Sequence, residues 1–231
     1  MGDGFDFMEG TLFTDFERWE VLVKDQRRIG VRYQSMASNV LLTRMLVDEE
    51  PEVYRAESRI RLDPKTDNWE VNQFRDQNLD RAQIMHRDSV RFPTRSMPSF
   101  GDILMVMKAV EAAEEQFTYW RLSEVSRAAQ EPVINQPDEP NAWVKRVGHF
   151  EELPIPLGIT LKAERYEAWA DGLLVATHWV NKHKEVVSTN WGDSLIAYRV
   201  PGSASEAGWL SLSGLDEGVV SFMSHGFDTN G

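Results

Sequence analysis

The sequence predicts a mainly β chain, folded as an antiparallel up-and-down β-barrel or half-barrel with one helical insertion near residues 100–128, and three observations carry that prediction. Between residues 160 and 200 the runs LKAERYEAWA, LLVATHWV, EVVSTNW and SLIAYRV are separated by Asp171-Gly172, Asn181–Lys184 and Gly192-Asp193. Asp-Gly between alternating runs favours a type I′ turn, which needs positive φ at both central residues, so this stretch reads as a meander of hairpins. From Tyr54 to Leu62, Tyr54, Ala56, Ser58, Ile60 and Leu62 share one side while Arg55, Glu57, Arg59 and Arg61 share the other, the period of a strand with one wet face. The texture changes at Ser99-x-x-Asp102, which resembles a capping box, and Ile103, Val106, Met107 and Val110 follow at helical spacing.

The remaining elements follow in chain order. Residues 1–16 form an arm that packs by Phe5, Phe7, Phe13 and Phe16. Trp19, Val21 and Val23, then the polar DQRR, then Ile29, Val31 and Tyr33 make a first hairpin. VLLTRMLV at 40–47 is apolar throughout, so it is either a strand buried on both faces or a short helix. Asp63-Pro64 through Asn68 is a turn, Trp69, Val71 and Gln73 lead another strand, and Ala82 to Phe92 supplies one or two more. Phe117 and Trp120 continue the apolar stripe of the helix, which favours one long or broken helix to about Ala129 over a strand at FTYWRL. The three prolines of EPVINQPDEP make a surface loop, Trp143 to Phe150 resumes strand character, and Trp209–Leu212 with Val219–Met223 offers a terminal hairpin. The resulting organisation is an N-terminal arm over 1–16, a single barrel domain over 17–200 with its helical insertion at 99–129, and a C-terminal extension over 201–231.

Composition narrows the function classes. A net charge of −12 argues against nucleic acid or an anionic membrane as the main partner, since both are bound through clustered Lys and Arg. With no cysteine, disulfides, thiolate catalysis and Cys-ligated zinc drop out. No run approaches the roughly 18 apolar residues of a membrane span, and MGDGFDFMEG is acidic where a signal peptide is basic, so the expected location is cytoplasmic, or exported if a leader has been removed. Phosphate-binding Gly-rich loops, GxSxG, HExxH and EF-hand loops are missing, and no cofactor is expected. His178 and His183 fall on opposite faces of a regular strand, a poor metal pair, and His86 with Asp88 or His149 with Glu151 offer only two ligands each, so no metal is expected.

The hairpin style, above all the unit YEAWADGLLVATHWV, resembles the calycin or lipocalin-like barrels and uncharacterised bacterial families built on that plan, over roughly residues 17–200. The Gly-x-Trp of the lipocalin signature is missing around Trp19, so no ligand residue is carried over. The fold leaves three functions to weigh. First is a non-enzymatic binding or carrier protein for an apolar or aromatic small molecule held in the barrel. Next is a cofactor-independent isomerase, cyclase or hydrolase, which needs a desolvated acid or base in the same space. Last is a structural or assembly subunit with no ligand. Parity names the expected pocket wall: Tyr54, Ser58 and Trp69, with Tyr166 added if Ala168 rather than Trp169 points inward, and with Arg55, Arg59 and Arg61 outside it. On the 163–169 run one polar pair must face the interior, and an inward carboxylate there would have a raised pKa.

Overall fold

The structure, a computed structural model, describes residues 13–49, 52–66, 68–79, 82–89, 95–112, 115–124, 139–155, 159–192, 194–200 and 217–227. Thirteen strands make one sheet: β1 (Phe16–Lys24), β2 (Arg27–Ala37), β3 (Val40–Glu49), β4 (Glu52–Leu62), β5 (Trp69–Asp76), β6 (Gln83–His86), β7 (Ser96–Pro98), β8 (Gln116–Leu122), β9 (Ala142–Ile155), β10 (Ile159–Ala170), β11 (Leu173–Asn181), β12 (Val186–Asn190) and β13 (Leu195–Val200). Their spatial order is β6-β5-β4-β3-β2-β1-β13-β12-β11-β10-β9-β8-β7, so consecutive strands lie side by side except β6 and β7, which stand at the two edges, and β1 pairs with β13. The sheet does not close: among the described residues no ladder joins β6 to β7, and the fold is a half-barrel. A hydrogen bond from the Trp69 indole on β5 to Ser96 Oγ on β7, at 3.0 Å, reaches across the opening.

Turn chemistry explains the meander. Asp25-Gln26, Ser38-Asn39 and Asp171-Gly172 each carry two consecutive positive φ angles, as two-residue type I′ hairpins require. The 160–200 stretch is contiguous as β10 to β13, and the run at 40–47 is a strand.

Two helices accompany the sheet. Helix α1 (Asp102–Ala112) begins at the expected residue and lies against the concave face, burying Ile103, Leu104, Val106 and Val110 beside Phe13, Ile60, Trp69 and Tyr119. Each such apolar side chain contributes roughly 1.5–3 kcal/mol. The helix is shorter than the sequence reading holds, because Gln116–Leu122 is strand β8. Its Phe-Thr-Tyr-Trp segment has high strand propensity and finds a partner in β9, where Phe117 sits opposite Val144. β7 and β8 run parallel, the one such pair among the described residues, and α1 is the crossover that parallel strands need.

The second helix, α2 (Glu217–His225), replaces the expected terminal hairpin over Val219–Met223. Val219, Phe222 and Met223 are buried at helical spacing while Val220 and Ser221 are exposed, so the pattern is that of an amphipathic helix despite its β-branched residues. It covers the convex side of the first strands by packing on Trp19, Val21, Val31, Leu46 and Val200. Arg44 fixes its C-terminal end, pairing with Glu57 at 2.6 Å and donating to the carbonyls of Met223 and Ser224 at 2.9 and 2.8 Å. Gly226 ends the helix at φ 78°, and a Cβ there would lie 1.8 Å from Glu57 Oε2. Gly226→Ala is therefore expected to lose about 2 kcal/mol from backbone strain and the displaced ion pair, read as a lowered urea midpoint. An unchanged midpoint would show that α2 docks without this contact.

Most of the expected N-terminal arm, the 131–138 part of the Pro-rich loop and Trp209–Leu212 lie outside the described residues. Phe13 is described, buried against α1 with Lys108 5.3 Å from its ring centroid. No helix among the described residues is long and apolar enough to cross a membrane.

Candidate functional site

The concave face of the first four strands carries a row of polar residues in register: Arg18 on β1 opposite Gln34 on β2, Gln34 opposite Thr43 on β3, and Thr43 opposite Ser58 on β4. All four are buried. One step along, Glu20 stands opposite Arg32. Glu20 is wholly buried and accepts hydrogen bonds from both Arg18 Nη2 and Arg32 Nε. Burial pushes its carboxyl up, but the two guanidinium groups outweigh that and hold it at about 2. Burial lowers Arg18, yet its ordinary value is so high that it stays charged.

Across the concave face, β11 contributes His178, whose Nδ1 lies 3.0 Å from Thr189 Oγ1 on β12. Its Nε2 is buried and has no hydrogen-bond partner among the described residues, and the same holds for Gln34 Oε1, the amide nitrogen of Gln34 donating to Thr43 at 3.2 Å. Burial first, then the nearby Arg32 and Arg18, push the imidazole down to about 3, so it is neutral near pH 7.

The N-terminal end of α1 adds two carboxyl centres. Asp102 accepts from Tyr119 Oη at 2.9 Å and Arg121 Nε at 2.6 Å, and burial still raises its pKa against the pull of Arg121. Glu124 accepts from Ser99 Oγ, from the Phe100 backbone N–H at 3.1 Å and from Asn72 Nδ2 at 3.3 Å. Burial pushes Glu124 up to about 7 against those hydrogen bonds. The supposed capping box is thus put to another use: the Ser99 hydroxyl goes to Glu124 and the Asp102 carboxylate to Arg121.

Between α1 and the sheet these elements leave a cavity of about 220 Å³. Its polar wall is Arg32, Gln34, Thr43 and His178, with Asp102 and Arg121 at the helix, and its apolar wall includes Met45, Phe100, Ile103 and Trp191. The Arg32 guanidinium lies 4.5 Å from the Trp191 ring centroid. Two larger hollows lie elsewhere. One of about 400 Å³ is bordered by Arg18, Glu111, Glu185 and Arg199, and an open groove of about 660 Å³ runs beside the stacked Trp143 and Trp169.

The expected wall residues are distributed differently. Tyr54 is half-buried, and burial with Asp76 and Glu124 nearby pushes its hydroxyl up to about 12. Ser58 joins the Glu124 cluster, 3.5 Å from its carboxylate and 3.2 Å from Asn72 Oδ1. Trp69 is fully buried at the opening, and Tyr166 is buried opposite His178 with Ala168 on the same inward side. None of the four is among the residues lining the 220 Å³ cavity. Arg59 and Arg61 point the other way, paired with Glu57 and Glu70. On the 163–169 run the inward pair is Glu164 and Tyr166, on the side of Ala168, but Glu164 is only half-buried there; the fully buried inward carboxylates are Glu20 on β1 and Glu124 after β8. His183 lies in an exposed turn away from the inward His178, and among the described residues no group of three or more His, Asp or Glu is placed to hold a metal ion.

Glu20, Arg32 and Gln34 escaped the sequence reading because their strands alternate as if one face were wet. The alternation is real, but α2 covers the convex face and the polar face looks inward. The only sequence signal was a charge of each sign, Glu20 and Arg32, placed to meet across one hairpin. No family model, curated protein or solved structure matches this chain.

Proposed function

We propose that this protein is a small-molecule binding or carrier protein whose ligand occupies the 220 Å³ cavity between α1 and the concave face of the sheet. The observation that carries the reading is a chamber with one apolar, partly aromatic wall and one polar wall, the usual make-up of a ligand pocket. Phe100 and Trp191 suit an aromatic or apolar body, while Gln34 and His178 call for a polar group on the same molecule, since each keeps a buried polar atom without a partner among the described residues. At about 220 Å³ the space falls below the roughly 300–1,000 Å³ of drug-sized sites, so the ligand is small.

A second reading, cofactor-independent acid–base catalysis, is favoured by one fact: Glu124, pushed up to about 7, sits behind Ser99 and Phe100 of the cavity wall. Binding ranks first because Glu124 does not itself line the cavity and both its oxygens are already engaged.

Native mass spectrometry of the purified chain, with tryptophan fluorescence during titration with small aromatic compounds, tests the reading. A co-purifying small molecule and saturable quenching are expected, lost on Trp191→Phe as signal and on Ala176→Phe as binding, because the latter fills the space. Absence of both a bound species and any quenching would remove the support for a ligand.

A further inference from the structure

We infer that the ligand of this cavity is an organic anion, a small carboxylic acid with an apolar or aromatic body, and that Arg32 is the residue that receives its charge. The inference rests on the cavity being a ligand site, as argued above, and names the chemistry of what it takes.

Charge within the concave face is the first ground. Arg18 and Arg32 share one carboxylate, Glu20, so this buried trio keeps one positive charge in excess. His178 adds none, being neutral near pH 7, Arg121 and Asp102 at the opposite wall cancel, and Glu124, behind Ser99 and Phe100 at about 7, carries only part of a negative charge and does not line the cavity. A surplus of positive charge taken out of water costs desolvation energy, and an anion entering the cavity offsets it.

Geometry is the second ground. Arg32 lines the cavity; its Nε is committed to Glu20, and its Nη groups make no other hydrogen bond or ion pair among the described residues. The guanidinium lies over Trp191, which holds its plane. A planar fork with two free N–H groups matches the two oxygens of a carboxylate, which is the geometry in which arginine is most selective. The body of the acid would then lie along Trp191 and Phe100, the apolar wall.

Neutral polar groups finish the site. His178 carries one N–H in its neutral form, and its Nε2 lacks a partner among the described residues. Gln34 and Thr43 stand on the neighbouring positions of the same polar row. Asp102 also borders the cavity, but its two oxygens are taken by Tyr119 and Arg121, so its charge is not presented unpaired.

The experiment compares acid with amide on the unaltered full chain. Benzoate, phenylacetate and hexanoate are titrated at pH 7 by calorimetry and tryptophan quenching, beside benzamide, phenylacetamide and hexanamide, which keep shape and lose charge. At least one acid is expected to bind with an affinity ten-fold or more above its amide, of the order that one charge-assisted bidentate pair supplies. Arg32→Lys keeps the charge but loses the fork, and should weaken the acid about ten-fold while leaving the amide unmoved. Gln34→Leu removes a polar group from the cavity wall and no charge from the Glu20 pairs, so its folding does not hinge on Arg32, and it should leave the preference for acid over amide in place. Amides that bind as tightly as their acids would overturn the anion inference and leave the binding reading intact. Failure of every acid overturns it too, and a neutral species in the native mass spectrum would then show that the cavity is a site for something else.

Discussion

Glu20→Ala should cost about 3–5 kcal/mol of folding stability, the range for removing one partner of a buried ion pair, because it leaves the buried Arg18 and the mostly covered Arg32 charged and without their carboxylate. Urea unfolding at pH 7 measures it, and a loss below about 1 kcal/mol, the worth of an exposed pair, would mean that water reaches the trio. The cost of breaking the trio differs from the worth of having it. Replacing all three residues together by Arg18→Met, Glu20→Leu and Arg32→Met removes the charges with the contacts, and such a core is expected to fold with stability near that of the native chain. That triple variant should lose the acid-over-amide preference, separating the service of Arg32 to a ligand from its service to the fold. The linkage has a sign: Glu20 is held at about 2 against an ordinary 4.5, so its contribution is complete above 4.5 and disappears as pH falls through 2. His178, pushed down to about 3 from 6.5, acts in the same direction, its contribution being complete above 6.5 and lost as pH falls through 3.

Glu124 works in the opposite direction. Its folded value is about 7 and its ordinary value 4.5, so the folded state holds a proton that the unfolded state has released. The stability this gives is complete below 4.5 and is lost as pH rises through 7, an effect on the order of 3 kcal/mol. Glu124→Gln keeps the shape and an acceptor for the Phe100 N–H but cannot ionise. The variant should therefore gain on the native chain between pH 5 and pH 8 by up to that amount, measured by urea unfolding at the two values. A difference that stays constant with pH would show that Glu124 is ionised throughout and solvated better than its burial implies.

Much of the fold was legible because short-range chemistry determines it. Asp171-Gly172 demands a turn whatever surrounds it, and the alternation at 54–62 sets which side of β4 is buried. Where the reading failed, a distant element decided. Phe117 and Trp120 fit a helical stripe as well as a strand, and only β9, more than twenty residues further on by register, selects the strand. Val219, Phe222 and Met223 were ambiguous in the same way until the convex face of β1 to β3 supplied a surface. The site was the least legible part. Ser58 was placed on the correct inward side, but the residues that line the cavity are Arg32, Gln34 and His178, polar groups on strands whose second face looked wet. Sequence alternation tells two faces apart without saying whether the polar one meets water or the interior of a half-barrel.

The meeting of β1 with β13 sets how this chain reaches its fold. Every other ladder joins consecutive strands, so the halves from β1 to β6 and from β7 to β13 can each assemble by local steps, the longest of which close the crossover from Pro98 to Gln116 and the connection from Leu122 to Ala142. The ladder from Trp19–Val200 to Lys24–Leu195 is the long closure, and it joins strands from opposite ends of the barrel sequence. Since that ladder closes the longest loop, substitutions along the seam are expected to slow folding, and those at the outer hairpins to speed unfolding, a difference that stopped-flow measurements in urea would read. Glu20 lies in the seam, opposite Arg199 on β13. The carboxylate that Arg18 and Arg32 share thus also lies in the ladder that joins the two halves.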